Sequence, residues 1–206
     1  RGEDIERILA SSAYIAEGVI ETQRVEHAFL ETETAIARYV EGVLELYSQG
    51  QGVYVDRAAI SRILDLPEKQ VKVTLVPNGG GFGGKEDLSV QGHASLCAYL
   101  LKSSVKIHLS RNESIRMHPK RHPFHMEYRV GCDSAGKLTG IRARIKGDTG
   151  AYASVGMKVL ERAAGHASGA YHVPNVDINA KTIYTNNIPC GAMRGFGVNQ
   201  VTFALE

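Results

Sequence analysis

Val71-Lys72-Val73-Thr74-Leu75-Val76, Pro77-Asn78, Gly79-Gly80-Gly81-Phe82-Gly83-Gly84-Lys85-Glu86-Asp87 and the run from Leu88 to Leu101 form the stretch that decides the fold. The first six residues alternate β-branched or apolar with polar side chains, as a strand does. Residues 88–101 carry apolar side chains at the spacing of a mostly buried helix. Strand, glycine loop and helix in succession predict a mixed α and β architecture, α+β in class.

The flanks extend the pattern. Thr34 to Val40 and Val43 to Tyr47 are rich in β-branched and aromatic residues, and Glu41-Gly42 between them predicts a hairpin turn. Ala58, Ile60, Ile63 and Leu64 fall near helical spacing in 55–64, closed by Asp65-Leu66-Pro67. Val105 to Leu109 reads as a strand. Met126 to Val130 and Leu138 to Ile145 flank the turn Asp133-Ser134-Ala135-Gly136, predicting an antiparallel pair. Val198 to Glu206 reads as a helix just beginning, with no Gly, Asn or Pro to stop it, so a cut C-terminus is expected. With no repeat, linker or low-complexity stretch, residues 1–206 are expected to form a single region of a larger mixed domain.

Composition sets bounds. At 206 residues, 43% hydrophobic and 22% charged, the chain is long enough to bury a core. The 24 basic and 22 acidic residues leave a net charge of +2, which offers no broad cationic field for nucleic acid. No apolar run approaches a bilayer span and no signal peptide opens the sequence, so neither membrane nor nucleic acid is the expected partner and the cytoplasm is the default location. Cys97, Cys132 and Cys190 are widely separated and odd in number, hence expected as buried free thiols.

Five glycines in the six positions 79–84 let the backbone approach a ligand closely. At a helix N-terminus their N–H groups would form an anion cradle, and a phosphate-binding or nucleotide-binding module is one reading of the chain. Gly79, Gly84 and Lys85 fit a P-loop, but Glu86 stands where a Mg²⁺-holding hydroxyl is needed. Gly79, Gly81 and Gly84 fit a dinucleotide fingerprint, yet the next strand ends in Ser110-Arg111 rather than an acidic residue; Arg111 suits at most a 2′-phosphate.

Other segments accompany the loop: Ala28-Phe29-Leu30-Glu31, Gln49-Gly50-Gln51-Gly52, Leu160-Glu161-Arg162-Ala163 and Gly191-Ala192-Met193-Arg194-Gly195-Phe196-Gly197. In this order and spacing they resemble the xanthine dehydrogenase and aldehyde oxidase family of molybdenum hydroxylases, from about Glu21 onward, and most nearly its purine-hydroxylating branch. The resemblance implies that the chain is the N-terminal half of a molybdenum-cofactor-binding domain. It implies a molybdenum–pterin cofactor, in the cytosine dinucleotide form, with iron–sulfur clusters and FAD on other domains or subunits of an oligomeric enzyme. By position, Gln51 resembles the glutamine that hydrogen-bonds the metal's oxo ligand, and Gly81, Phe82 and Gly83 the loop beside the metal. Arg194 resembles a residue that holds the pterin. No side chain here would bind molybdenum directly. Glu86 resembles the pocket glutamate that contacts purine heteroatoms, Arg162 the arginine that stabilises charge on the ring, and Phe196 the aromatic that packs on the substrate. In members that prefer aldehydes, positions 86 and 162 are not typically charged in this way.

Physical chemistry accords with those roles. Attack on a purine carbon builds negative charge on the heterocycle, and a fixed cation where that charge develops lowers the barrier most. A carboxyl group can meet a ring nitrogen or exocyclic oxygen, and a flat ring suits an aromatic partner. Each residue also has a plainer role: Glu86 and Asp87 as dipole partners at a helix start, Arg162 as a surface ion-pair residue on a helix, Phe196 as core, Gln51 as loop. His118, His122 and His125 in His-Pro-Lys-Arg-His-Pro-Phe-His invite a metal reading, but two prolines break the segment, and a rigid loop entering a strand is the better account. Thr32 stands where relatives often have proline, and Met193 where phenylalanine is usual. The family's general base lies far downstream, so this chain alone is not expected to turn over. The expected function is part of a hydroxylase oxidising a purine such as hypoxanthine or xanthine, with an aldehyde or another N-heterocycle as the alternative substrate.

Overall fold

The structure, a computed structural model, describes residues 2–206. In chain order its elements are α1 (Ile5–Ala10), β1 (Tyr14–Glu21), β2 (Thr34–Val40), β3 (Val43–Ser48), α2 (Val53–Leu64), β4 (Val71–Leu75), α3 (Gln91–Leu101), β5 (Val105–His108), α4 (Arg111–Met117), β6 (Phe124–Cys132), β7 (Leu138–Gly150), α5 (Gly156–His166), β8 (Asn175–Tyr184) and α6 (Val198–Leu205). The mixed α and β class expected from the sequence is the class observed. Two compact units form, one from Glu26–Pro119 and one from residues 2–25 together with Lys120–Glu206.

In the Glu26–Pro119 unit the sheet order is β4-β3-β2-β5, with β3 and β4 parallel and the other pairs antiparallel. The hairpin β2–β3 turns at Glu41 (φ 49°) and Gly42 (φ 80°), the doubly left-handed turn that matches strand twist. Along β3, Leu44, Leu46 and Ser48 are buried in alternation, and α2 supplies the crossover to parallel β4. Helix α2 ends on Asp65 in the left-handed region (φ 52°). Helix α3 packs on β2, where Ala35 and Ala37 meet a layer containing Ala94 and Ala98. Small side chains on both layers let helix and strand approach closely. Leu44, Leu46, Ile60 and Val90 complete this core.

The α3 helix starts at Gln91, three residues later than the apolar spacing predicts. Leu88, Ser89 and Val90 carry apolar or small side chains that fit the helical period, but Ser89 N–H is taken by the Gln91 side chain (2.8 Å), which diverts the backbone. Glu86 and Asp87 therefore do not cap a helix.

The other unit builds the sheet β1-β6-β7-β8, antiparallel except for β7–β8. Strand β6 is longer at both ends than the sequence suggests, and β7 starts at Leu138 as expected but runs five residues further, to Gly150. Ile141, Ala143 and Ile145 of β7 face a core shared with Met126, Tyr128, Val159, Leu160, Ala163 and Val201, while Arg142 and Arg144 alternate outward. Glu6 of α1 pairs with Arg142 and, at 3.5 Å, with Arg129. Helix α5 is the crossover between parallel β7 and β8 and packs against α6. Of the thiols, only Cys190 is buried; Cys97 and Cys132 are half-buried, Cys97 off the buried positions Ala94, Ser95 and Ala98 of α3 and Cys132 at the bulged end of β6. Among the described residues no helix is long and apolar enough to cross a membrane.

Ile145 is 1% exposed at the centre of this second core. Ile145→Ala should cost about 2–5 kcal/mol of unfolding free energy, read by denaturant titration, because the surrounding sheet and helix cannot close the cavity. The solvent-facing Lys146→Ala on the same strand should change it by under ~0.5 kcal/mol.

Candidate functional site

The glycine loop is a chain of tight turns held from outside. Gly84 N–H donates to Gly81 O (2.7 Å) and Glu86 N–H to Gly83 O (3.2 Å), with Phe82 at φ 54° between them. The side-chain oxygen of Gln51 accepts from Gly83 N–H (3.0 Å) and Lys85 N–H (3.3 Å), and Gln51 N–H donates to Lys85 O (3.0 Å). A Cβ at Gly81 would lie 2.6 Å from that oxygen, so the loop can wrap Gln51 only with glycine there. With the oxygen of exposed Gln51 engaged by the loop, its amide N–H₂ is the group that remains to donate outward.

Behind the loop, Lys85 is 3% exposed. Its Nζ donates to Glu31 O (2.9 Å) and Gln49 Oε1 (3.4 Å) and lies 4.6 Å over the Phe29 ring. Burial lowers its pKa, against the opposing charges of Glu31 and Glu33. Glu31 Oε2 accepts from Gly79 N–H (2.5 Å) at the loop's start. Lys85 thus faces inward as an anchor, and the loop ends five residues before α3, two features that set it apart from a phosphate loop at a helix N-terminus. The sequence does not mark Lys85 and Glu31 as loop clamps; their place in Phe-Leu-Glu and Gly-Gly-Lys is the available signal.

The Phe82 ring is 45% exposed, and Glu86 is exposed on the same loop. Partial desolvation raises the Glu86 pKa, and the charge of Asp87 adds to it.

In the other unit, Arg162 on α5 lies with its guanidinium carbon 5.5 Å from the centroid of the Phe196 ring. Phe196 sits at φ 40° in two successive turns, its N–H donating to Met193 O (2.8 Å) and Val198 N–H to Gly195 O (2.8 Å). Gly197 has φ 92°, and a Cβ there would stand 2.3 Å from Val159 O of α5. That close approach seats the Arg-Gly-Phe-Gly turn on the helix that carries Arg162. The exposed Arg194 offers its carbonyl to Arg121 (2.7 Å) and Asn199 (3.2 Å). A groove of about 730 Å³ lined by residues such as Ile8, Leu138, Tyr171 and Pro174 contains none of these side chains.

Gln51, Gly81, Phe82, Gly83 and Glu86 thus gather in the Glu26–Pro119 unit, and Arg162, Arg194 and Phe196 belong to the other. Arg111, which suited at most a 2′-phosphate, has its guanidinium donating to Phe29 O (2.5 Å) and Leu30 O (2.9 Å). His118, His122 and His125 do not form a metal cluster. His118 terminates α4, His125 on β6 pairs with Glu21 (3.0 Å), and His122 is buried with a ring Nε2 that accepts no hydrogen bond.

The chain matches the molybdopterin cofactor-binding domain family over residues 1–206. It is 40% identical to a probable xanthine dehydrogenase component of Bacillus subtilis over 98% of its length, covering 27% of that protein. It is also 40% identical to the nicotinate dehydrogenase large molybdopterin subunit of Eubacterium barkeri, covering 98% of this chain and 48% of that one. The solved aldehyde oxidoreductase of Desulfovibrio gigas superposes with a TM-score of 0.96 at 26% identity, over 100% of this chain and 23% of that one. The chain spans from about a quarter to about half the length of these proteins.

Burial pushes the His122 pKa down to about 4, against the attraction of Asp148. The unfolded chain then takes up this proton first, near pH 6.5. Stability contributed by neutral His122 is present above about pH 6.5 and lost as pH falls toward 4, by roughly 2–4 kcal/mol. Unfolding free energies measured across that window should lose about one proton's worth of slope in His122→Gln.

Proposed function

Because this chain belongs to the molybdopterin cofactor-binding domain family of the molybdenum hydroxylases, we propose that it carries the purine-recognising part of a xanthine dehydrogenase-like enzyme. The observation that carries the reading is the charge at both recognition positions, Glu86 with its raised pKa and Arg162 beside Phe196.

The residues present fit a metal–pterin group. Gln51, exposed and with its oxygen committed to the loop, can donate outward through its amide N–H₂, and Gly81 to Gly83 present backbone and the exposed Phe82. Gln51, Gly81, Phe82 and Gly83 would border the group, and Arg194 would hold its pterin; the cytosine dinucleotide form is part of this reading. When bound, the group supplies two-electron oxidation of the substrate carbon with oxygen from water, electrons leaving toward iron–sulfur clusters and FAD on other domains or subunits.

Glu86 meets a ring nitrogen or exocyclic oxygen of the purine, and its raised pKa lets it share a proton there. Arg162 stabilises negative charge that develops on the heterocycle, its guanidinium held by the Phe196 face instead of by a carboxylate that would neutralise it. Phe196 offers a flat apolar surface to a flat ring. The whole enzyme is read as a cytoplasmic oligomer. The equal identity to the nicotinate dehydrogenase protein favours a second reading, a carboxylated N-heterocycle as substrate, for which Arg162 would meet the carboxylate.

The test uses the full-length protein with its partner chains. Molybdenum and pterin should be found near one per chain, and Glu86→Val and Arg162→Ala should retain both while lowering kcat/KM for xanthine by roughly 10²–10³-fold. Equal loss of cofactor would mark the two residues as structural. Turnover of nicotinate in place of purines would select the second reading.

A further inference from the structure

We infer that Glu26, His27 and His118 form a zinc-class metal site that fastens together the two ends of the Glu26–Pro119 unit. This rests on residues outside those assigned to the pterin or the substrate, and it stands whatever the substrate is.

His118 is 1% exposed and closes α4. Its Nδ1 lies 2.7 Å from Ser114 O. A carbonyl only accepts, so Nδ1 carries a proton and, in the neutral ring, Nε2 carries a lone pair. That lone pair faces His27 Nδ1 at 3.0 Å and Glu26 Oε1 at 2.9 Å. Two acceptors cannot sit at 2.9 Å without a positive centre between them. A single proton on Nε2 can point at only one of its two neighbours, whereas a metal ion would accept a lone pair from His118 Nε2, from Glu26 Oε1 and, in the His27 tautomer protonated on Nε2, from His27 Nδ1.

The three donor atoms lie within 4.8 Å of one another, the only such group of three among the described residues. Two imidazoles and one carboxylate are a donor set for zinc or cobalt rather than for magnesium or calcium. The Ser114 carbonyl on the far nitrogen of His118 is the outer contact that fixes a ligand ring's tautomer.

Glu33 adds buried negative charge beside this place, part of which faces Lys85. Glu33 is 3% exposed, both its carboxylate oxygens are shielded and accept no hydrogen bond, and Oε1 stands 3.5 Å from His118 Nδ1. A divalent cation on Nε2 would place positive charge on the ring whose other nitrogen faces Glu33.

The position gives the site its use. Glu26 and His27 open the unit and His118 closes it, with 91 residues of separation between the two histidines. A clip across so long a loop removes much of the freedom of the open chain.

Zinc and cobalt binding to the full-length protein with its partner chains, after chelator treatment and desalting, decides the matter. The wild type should take up about one zinc per chain more than His118→Gln or His27→Gln, with affinity in each variant reduced at least roughly tenfold. His125→Gln should bind as the wild type does. Cobalt should give visible ligand-field bands that are absent from the two variants. If either variant misfolds, the wild type alone suffices: added zinc should reversibly raise, and chelator lower, its resistance to cleavage near residues 26 and 118. Equal zinc in wild type and His118→Gln, an unchanged cobalt spectrum, or cleavage indifferent to zinc would overturn the site and leave an imidazolium–carboxylate pair.

Discussion

The glycine-rich turn keeps its shape because one amide oxygen, Gln51 Oε1, accepts from two backbone N–H groups of a segment more than thirty residues away. Glycine is needed to let the backbone come that near, and the same glycines would leave the segment without a preferred conformation if nothing held it. Gln51 supplies the hold on one side, while Lys85 and Glu31 supply it on the other. The positions of Phe82 and Glu86 follow from that three-point attachment. Loss of the Gln51 oxygen would strand two amide donors at once, a larger penalty than the loss of either bond alone.

Arg162, in the other unit, is held on the opposite physical principle. Arg162 is not clamped by a network; it lies over an aromatic face, and that face is placed by a turn whose final glycine touches the backbone of the arginine's own helix. An unneutralised guanidinium is useful where charge is to appear later, since an ion-paired one would already have spent its field on its partner. The backbone strain at Phe196 is tolerated because the turn and α5 fix it from both sides.

Elements with a buried, patterned face are readable from sequence, the edge strands β4 and β5 among them, and elements without such a face are not. The β2–β3 hairpin, α2 and β4 announce themselves through alternation, turn residues and helical spacing. Strand β1 has almost every side chain exposed, and β8 is only partly covered, so neither leaves a period of two to find. Helix α4 does leave a signal: Ser110 and Glu113 form a capping box, but Ser110-Arg111 reads more readily as the end of a strand. The division into two units is invisible because its boundaries, at 25–26 and 119–120, carry no linker composition and arise from contacts distant in sequence. For the site, the glycine loop and the Arg-Gly-Phe-Gly segment can be picked out as motifs. The inward direction of Lys85 and the stacking of Arg162 on Phe196 depend on tertiary geometry, which spacing does not encode.

The contact between His27 and His118 means that residues 26–119 leave and return to nearly the same point. A segment with coincident ends and its own sheet, helices and core has the geometry of an insertion: a compact body spliced into a host chain at one place. Such a body can be exchanged, lengthened in its outer loops, or joined end to end as a circular permutant without stretching the polypeptide on either side.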